Sequence, residues 1–545
     1  MSNTTLWDYL VVGGGIAGSV VSNQLLRHDP SLKIMLIEAG PNTHEINDIE
    51  WLNMESAIGG EFDWGWSSVP QAHLDNRSII SPVGKGLGGG SIINGAAWAR
   101  GDSVDYDIWS ELVQDERWSY EGQLPYMRKV ETFYDETTNP KAHGHDGPIK
   151  IQSVSSTNRS FPLREALLES WNEIGEPQIP GFDANAGKPQ GVGELQENRD
   201  EGRRQLASLS YSLEGIEVLT DSAVAKILTK KTSDGIKAQG VKLADGTRIL
   251  GREVILSAGA YRTPQIMMLS GIGPAETLNK FDIPVVLDQP WVGKNFHDHV
   301  LIPTVWQLKD PSALGGITKE SGNPIFKEPQ YSLGAFIDFY TVASLPKEGL
   351  AAAIEKDEGK VPYSSHPLLQ NRAHTGNLVQ YSGAGADAII MTSVVLINQA
   401  RGSVSLQSAD INDAPLIDPN FLGTAVDRYA AREMIRRNIK LLASNETVLG
   451  REYISQELAE NPLTPESSDE DIDARVRQAA GGCFHPAGTA SMGKVVDTSL
   501  RVKGVSGLRV VDTSVFPASI SANLQLPVYA LAEQAAAIII EERAS

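Results

Sequence analysis

Near its amino terminus the chain reads Tyr9-Leu10-Val11-Val12-Gly13-Gly14-Gly15-Ile16-Ala17-Gly18, an apolar run that passes directly into closely spaced glycines. Residues 8–12 have the continuous apolar character of a buried parallel strand, and residues 16–27 predict the helix that follows it. A second short apolar strand is predicted at residues 33–38. Strand, helix and strand in this order predict a βαβ unit, and therefore an α/β fold with a parallel sheet.

The glycines of this turn have the spacing of a dinucleotide-binding motif. Gly13, Gly15 and Gly18 follow the pattern G-x-G-x-x-G, which allows a tight turn and close approach of the backbone to a pyrophosphate. The start of the helix would present free N–H groups to the phosphates. Glu38 lies 20 residues after Gly18, where an acidic side chain binds ribose hydroxyls and disfavours a 2′-phosphate. The segment predicts a bound dinucleotide, with NAD and FAD both open.

Length and composition limit the remaining possibilities. At 545 residues the chain is too long for one compact core, so two or three domains or one two-lobed unit are expected. A formal net charge of −21 argues against binding to nucleic acid or to an anionic membrane, because phosphate contacts need clustered Lys and Arg. The single cysteine, Cys483, excludes an intrachain disulfide and a multi-cysteine metal site. We therefore expect an acidic globular protein without a bound metal.

The two ends of the sequence bear on cellular location. Residues 1–8 lead into the first strand without a charged, apolar and small-residue signal, and no apolar stretch is long enough to span a bilayer. The final residues, Arg543-Ala544-Ser545, differ from the Ser-Lys-Leu type of peroxisomal address. These features predict an intracellular, cytoplasmic location, and the sequence indicates no oligomeric state.

The rest of the chain divides into regular and irregular stretches. Residues 216–256 alternate like a small sheet, and residues 253–259 predict a strand that rejoins the first sheet. Residues 300–410 are rich in Pro, Gly and Ser with few clear periods, which we interpret as a second domain with long loops. Helical periodicity marks residues 105–135, 161–174, 425–443 and 527–543.

Two further segments could complete a site beside the dinucleotide. Gly84-Lys85-Gly86-Leu87-Gly88-Gly89-Gly90-Ser91-Ile92-Ile93-Asn94 is either a flexible surface loop or a second backbone cradle for a flat, large group such as a flavin ring. Phe484-His485-Pro486-Ala487-Gly488-Thr489, with Asp512 and Asn523 further along, contains a polar pair suited to chemistry next to it. Together with the first turn, these segments indicate that the protein uses its bound nucleotide in a reaction.

These segments resemble the glucose–methanol–choline (GMC) family of flavin oxidoreductases. Residues 84–94 are similar to the first family signature, and Gly259-Ala260-Tyr261-Arg262-Thr263-Pro264-Gln265-Ile266-Met267-Met268-Leu269-Ser270-Gly271-Ile272-Gly273 matches the second almost position for position. The run from His485 to Asn523 resembles the catalytic end of the family. The resemblance covers nearly the whole chain outside residues 305–395. It implies a Rossmann-like FAD-binding domain interleaved with a substrate domain built on an antiparallel sheet.

The resemblance also implies domain boundaries and cofactor contacts. The FAD-binding domain would comprise residues 1–155, 205–300 and 480–545, and the substrate domain residues 156–204 and 301–479. The residues that the resemblance predicts to contact FAD are Gly13, Gly15, Ile16, Ala17, Gly18, Glu38, Ala39, Trp64, Gly84, Gly89, Gly90, Ser91, Asn94, Gly95, Val224, Asp512, Asn523 and Leu524. Some relatives attach the flavin covalently through a histidine in the glycine-rich loop. The corresponding position here is Ile93, so we expect FAD to be held noncovalently.

Oxidation of an alcohol removes a hydroxyl proton and a carbon-bound hydride, and the weakly acidic hydroxyl requires a positioned base. The resemblance assigns this role to His485, with hydride passing to N5 of the flavin, and assigns Asn523 to donate a hydrogen bond to the developing alkoxide. The implied reaction converts an alcohol to an aldehyde or ketone, with O₂ reoxidising the flavin to give H₂O₂. Aromatic residues of the unmatched region favour an aromatic or apolar alcohol; they are Tyr331, Phe336, Phe339, Tyr340 and Tyr363.

Alternative functions remain open at this point. Some relatives pass electrons to another acceptor as dehydrogenases, and others cleave cyanohydrins as lyases without net redox change. A flavin-bound scaffold is a further alternative, and the presence of both His485 and Asn523 argues against it. We interpret Cys483 as a packed side chain. His297 and His299 are given structural roles, because no third metal ligand accompanies their spacing.

Overall fold

The computed structural model describes residues 6–51, 54–135 and 141–544, without the side chains of residues 55 and 56. Residues 1–5 and Ser545, used above to predict location, lie outside the described residues. The described strands of three or more residues are β1 Leu6–Val12, β2 Ile34–Ile37, β3 Gly191–Glu194, β4 Glu217–Leu219, β5 Val224–Thr232, β6 Gly235–Leu243, β7 Arg248–Leu256, β8 Lys294–Phe296, β9 Val300–Leu308, β10 Phe339–Ala343, β11 Thr375–Gln380, β12 Ala388–Val395, β13 Gly402–Ser405, β14 Leu416–Asp418, β15 Ile454–Glu457 and β16 Leu508–Val510. The described helices of six or more residues are α1 Ile16–His28, α2 Ser103–Val113, α3 Tyr120–Val130, α4 Arg164–Glu173, α5 Gly259–Leu269, α6 Ala275–Lys280, α7 Lys347–Glu358, α8 Ala425–Ala443, α9 Asp469–Ala479 and α10 Gln525–Ala544.

The first sheet contains the predicted βαβ unit. Its path runs β4-β2-β1-β7-β6-β5, and β1 pairs in parallel with both β2 and β7. Val12 therefore lies beside Ile37 and Leu256 at the carboxyl ends of three neighbouring strands. The prediction that residues 253–259 rejoin this sheet is confirmed for residues up to Leu256. In open α/β sheets, ligands bind at such carboxyl ends, so the topology fixes where a nucleotide can lie.

The second sheet is antiparallel along the path β15-β9-β12-β11-β10, and β3 pairs with β10 at the end of this path. Most of its strands fall within residues 300–410, so the expectation of an irregular region is wrong for β9, β10, β11 and β12. One face packs against α8, and the other carries apolar residues as well. Strands covered on both faces show no polar alternation, which explains why the period of two was absent from the sequence.

The two largest hydrophobic cores of the described residues each accompany one of these sheets. One contains Val11 and Leu256 of the first sheet, and the other contains Trp306 and Met391 of the second. The mixed α/β fold class is confirmed, including the antiparallel sheet that the resemblance implied. The domain boundaries stay a prediction.

Membrane and metal features can be described for the same part of the chain. Among residues 6–51, 54–135 and 141–544, no helix combines the length and apolar character needed to cross a bilayer. Within those ranges, no group of three or more His, Cys, Asp or Glu side chains is arranged to hold a metal ion.

Candidate active site

A cavity of about 1110 Å³ is bordered by both sheets. Its first wall consists of the carboxyl ends of β1 and β7, including Gly13 and Ser257. Its second wall is one face of the antiparallel sheet, including Leu301 and Val394. Pockets for a single small ligand usually measure about 300–1,000 Å³, so this cavity lies just above that range and suits a large ligand.

The glycine-rich turn after β1 forms part of the first wall of the cavity. Gly13 has φ +104°, and a Cβ on Gly18 would overlap the carbonyl oxygen of Gly13. Both positions therefore require glycine, Gly13 for its backbone conformation and Gly18 for helix-to-strand packing. α1 then begins at Ile16 without a side-chain cap, and Gly15, Ile16 and Ala17 border the cavity. The uncapped helix end offers N–H groups and a partial positive charge to a phosphate.

Glu38 connects the glycine turn to the end of β2. Its Oε2 accepts a hydrogen bond from Gly14 N–H at 2.8 Å, and its Oε1 accepts one from Gly40 N–H at 2.8 Å. Burial raises the pKa of this carboxyl above its ordinary value. Glu38 therefore holds the glycine turn against the end of β2 and borders the cavity where a ribose would lie.

Ser257 gives an independent indication of a ligand on this wall. Its buried hydroxyl has no hydrogen-bond partner within the described part of the chain, and Ser257 borders the cavity beside Gly13. Buried polar groups are normally paired, so an unpaired hydroxyl at this place suits a polar ligand. Together with the uncapped helix and the glycine turn, it fits the pyrophosphate and ribose groups of FAD.

Asp512 also borders the cavity, but protein groups already occupy its side chain. Its Oδ2 accepts hydrogen bonds from Gly259 N–H at 2.9 Å and from the Thr263 hydroxyl at 2.7 Å. Its Oδ1 accepts from the backbone N–H and hydroxyl of Ser514. Asp512 therefore ties the start of α5 to the carboxyl-terminal segment, and burial raises the pKa of its carboxyl.

The structure brings most of the predicted site residues together on this cavity. Gly18 and Ser91 lie behind its surface: Gly18 packs against Gly13, and the Ser91 hydroxyl donates to Gly88 O at 2.6 Å. Ser91 Oγ also accepts from Ala207 N–H at 3.0 Å, so it supports the loop. The predicted residues that border the cavity are Gly13, Gly15, Ile16, Ala17, Glu38, Ala39, Trp64, Gly84, Gly89, Gly90, Asn94, Gly95, Val224, His485, Asp512, Asn523 and Leu524.

His485 lies where the two walls meet, between His299 and Asn523. His485 Nδ1 is 2.9 Å from His299 Nδ1, and His485 Nε2 is 3.4 Å from the Asn523 amide nitrogen. Burial and the neighbouring His299 hold the pKa of His485 well below its ordinary value. Burial also lowers the pKa of His299 to about 4. Both rings are therefore neutral near pH 7.

The contacts of the two rings determine the tautomer of His485. The Asn523 amide nitrogen can only donate, so the His485 Nε2 that faces it at 3.4 Å is assigned as the acceptor. A neutral imidazole has one N–H, so His299 Nδ1 accepts from His485 Nδ1–H. This leaves an unprotonated Nε2 on His485, beside Asn523.

A strained backbone segment holds His485 in place. Gly482 pairs with Val300 at the start of β9, and Phe484 has φ +65°, which is uncommon for a residue with a side chain. Asp298 Oδ1 accepts a hydrogen bond from His485 N–H at 2.8 Å, and burial raises the pKa of Asp298 to about 7. Such strain persists only where surrounding contacts enforce it, and it concentrates at functional sites.

The contact between His299 and His485 was not predicted from the sequence. Both His297 and His299 were expected to have structural roles, and the structure places His299 against His485. His297 makes a local contact, with Nδ1 2.9 Å from Asn295 O. The available signal was a histidine directly before a strand, and spacing alone could not show which chain segment lies next to it.

The fold and the cavity define a dinucleotide-dependent enzyme class, with a glycine turn at strand ends and a neutral histidine beside it. The chain belongs to the GMC oxidoreductase family, whose family models match residues 7–301 and 398–532. It is an FAD-dependent oxidoreductase of this family, which confirms the resemblance seen in its sequence. It is 35% identical over 560 residues to the GMC-type oxidoreductase acuG of Aspergillus aculeatus, covering 99% of this chain and 100% of that protein.

Other relatives and solved structures agree with this assignment. An oxygen-dependent choline dehydrogenase of Burkholderia vietnamiensis is 33% identical over 554 residues, covering 98% of this chain and 93% of that protein. A formate oxidase variant of Aspergillus oryzae, studied for modification of its FAD, superposes with a TM-score of 0.85 at 25% identity and full coverage of both chains. A fungal aryl-alcohol oxidase has a TM-score of 0.84 at 24% identity, again over both full chains, and shows the shared fold.

Proposed function

We propose that this protein oxidises an alcohol to an aldehyde or ketone, with His485 as the base. The observation that carries the proposal is the position of His485 on the cavity, with Nδ1 2.9 Å from His299 Nδ1 and Nε2 3.4 Å from the Asn523 amide nitrogen. Burial and His299 hold the pKa of His485 well below its ordinary value, which keeps its ring available as a proton acceptor. An alcohol hydroxyl is a very weak acid, so removing its proton needs a base within hydrogen-bond reach. The name of the oxygen-dependent choline dehydrogenases, 33% identical to this chain, supports an alcohol substrate and O₂ as acceptor.

His485, His299 and Asn523 have different roles in the proposed removal of the proton. Nε2 of His485 accepts the hydroxyl proton, and His299 keeps the other nitrogen protonated and the ring oriented. The Asn523 amide donates a hydrogen bond to the oxygen as negative charge develops on it. Bound FAD supplies the acceptor for the carbon-bound hydride, and O₂ then takes the two electrons to form H₂O₂.

We propose that FAD is held without a covalent bond. Ile93 borders the cavity within the glycine-rich loop, and its hydrocarbon side chain has no group that could form a flavin linkage. Denaturation of the purified protein should release all yellow colour into the supernatant. Flavin that remains with the precipitated chain would contradict this part of the proposal.

Anaerobic mixing with alcohols tests the main reaction. Flavin absorbance near 450 nm should bleach only if hydride is transferred, and readmission of air should restore it and form peroxide. A lyase would leave the flavin oxidised, and a dehydrogenase would stay bleached in air until another acceptor is added. The His485→Ala variant should retain FAD and reduce it about 10²- to 10⁴-fold more slowly. Reduction at the normal rate by that variant would contradict the role of His485.

A further inference from the structure

Alternate residues of the second sheet form one wall of the cavity. The register pairs Leu301 with Val394, and the next row on the same side pairs Leu378 with Thr392. Paired residues of neighbouring strands point to the same face of a sheet. All four of these side chains border the cavity, so the wall is a continuous surface of side chains.

The end of this wall nearest His485 is apolar. Gly481, four residues before His485, pairs with Leu301, which places the catalytic segment against this end of the sheet. Apart from the Tyr340 hydroxyl and the Cys483 thiol, the first polar groups of the wall lie one row further along, about 7 Å away, where the Gln380 amide donates to the Thr392 hydroxyl at 3.0 Å. The apolar chamber next to His485 consists of Leu301, Tyr340, Val394, Leu396 and Cys483.

The carboxylates of the cavity lie away from this chamber. Glu38 and Asp512 belong to the dinucleotide wall, and backbone N–H groups hold both of them. Glu328 is exposed at the rim, where the Gln330 amide donates to it at 2.6 Å. Asp298 binds the backbone behind His485 and does not border the cavity. Within the described ranges, no carboxylate faces the apolar chamber.

Positive charges are more numerous than carboxylates on this side of the cavity. Lys319 and Lys327 border it together with Glu328, the one rim carboxylate among the described residues, whereas Arg199 is paired with Glu197 at 3.2 Å. The Lys319 ammonium lies 4.7 Å from the ring centre of Phe336 and occupies that aromatic face. A positively charged substrate would therefore meet repulsion at the rim and no counter-charge in the chamber.

We infer that the substrate alcohol carries an uncharged apolar group, aromatic or branched aliphatic, next to its hydroxyl-bearing carbon. This inference rests on the proposed alcohol oxidation. A quaternary ammonium alcohol such as choline is then a poor substrate, because its cation would lie unpaired among Leu301, Val394 and Leu396. The specificity therefore differs from that in the name of the 33% identical choline dehydrogenases.

A pair of alcohols with the same shape tests the inference. Choline and 3,3-dimethylbutan-1-ol differ only in a charged nitrogen or a neutral carbon, and benzyl alcohol adds an aromatic substrate. We expect the second-order rate constant of anaerobic flavin reduction to be at least about 100-fold higher for the neutral isostere than for choline. Equal rates or a preference for choline would overturn the inference and leave alcohol oxidation intact.

Binding separates this inference from the proposed reaction. Calorimetric titration of the FAD-loaded His485→Ala protein should show at least about tenfold tighter binding of 3,3-dimethylbutan-1-ol than of choline. If no alcohol reduces the flavin of the unaltered protein, alcohol oxidation fails, and the titration still decides the substrate class. Equal or tighter binding of choline would contradict the apolar chamber as a recognition site.

A carboxylate placed in the chamber should reverse the preference. In Val394→Asp we compare the rate constant of flavin reduction by choline with that by the neutral isostere. We expect the ratio of the two rate constants to rise at least about tenfold. Gln380→Glu is the matched control, since it adds the same charge further from His485 and should change the ratio less than about threefold. Leu378→Asp replaces Val394→Asp if the latter does not retain FAD. An unchanged ratio in the FAD-loaded variant would count against the inference.

Discussion

The parallel and antiparallel sheets each contribute a wall to the cavity, but with different parts of the chain. The parallel sheet contributes strand ends, where Gly13, Gly15 and the start of α1 expose backbone groups. The antiparallel sheet contributes a broad face, where alternating side chains such as Leu301 and Val394 make the contact. The groups that a backbone wall exposes depend on the fold itself. The groups of a side-chain wall can be changed by substitution with little effect on the fold.

The largest effect should come from adding a side chain to a glycine of the turn after β1. We expect Gly18→Ala to abolish FAD binding and lower the melting temperature, because the added methyl would overlap the Gly13 carbonyl. Flavin content after purification and thermal unfolding of the apoprotein measure both effects. FAD at full occupancy in Gly18→Ala would show that the helix can shift away from the strand.

Gly15→Ala provides the contrast to that variant. A Cβ at Gly15 would lie 3.7 Å from Gly89 Cα, an ordinary contact, so the apoprotein should unfold at the unaltered temperature. We expect FAD to bind at least about tenfold more weakly, because the methyl covers backbone needed by the phosphates. A weakened fold in Gly15→Ala would break the distinction between packing glycines and cofactor-contacting glycines.

A smaller effect should follow from removing the histidine that positions His485. In His299→Phe, Nδ1 of His485 loses its acceptor, and we expect flavin reduction to slow about 10- to 100-fold, equivalent to about 1.4–2.7 kcal/mol. His299→Asn keeps an acceptor close to the same place and should recover most of the rate. Stopped-flow reduction with FAD content as a control makes the measurement. Equal losses in both variants would indicate a packing role for His299.

The smallest effect should be that of pH on the reductive step. A histidine with the ordinary pKa of about 6.5 would be about nine-tenths protonated at pH 5.5 and unable to accept a proton. Burial and His299 hold the pKa of His485 well below that value, so the base stays neutral as the pH falls. We expect the rate of flavin reduction at pH 5.5 to lie within about twofold of that at pH 8.

A rate of flavin reduction that falls as the pH is lowered would contradict this expectation. A midpoint of that fall near pH 6.5 would show that His485 titrates normally. A midpoint near pH 7 that disappears in Asp298→Asn would identify Asp298, whose pKa burial raises to about 7, as the group controlling the loop.

The glycine-rich wall of the cavity was largely predictable, because its backbone geometry depends on local sequence. Glycine spacing after an apolar strand, with Glu38 at the end of the next strand, predicts both the turn and a dinucleotide ligand, without choosing between NAD and FAD. Val12 and Leu256 are adjacent in space as the predicted strands required. Ser91 shows the limit of such reasoning, because its position in the loop could not reveal that its hydroxyl supports Gly88.

The substrate wall was not predictable in the same way. β9, β10, β11 and β12 have apolar residues on both faces, so nothing in their sequences separates the face on α8 from the face on the cavity. The contact between His299 and His485 joins residues 186 positions apart, which no local pattern encodes.

The sequence by itself determined the nucleotide turn, the acidic residue opposite it and the presence of a histidine and an asparagine near the carboxyl terminus. Those features need only local backbone geometry and residue type. The tertiary structure decided that His299 lies 2.9 Å from His485 and that an apolar chamber without a facing carboxylate lies beside it in the described chain. Such properties arise from packing between distant segments, because burial and hydrogen-bond partners exist only after the chain has folded.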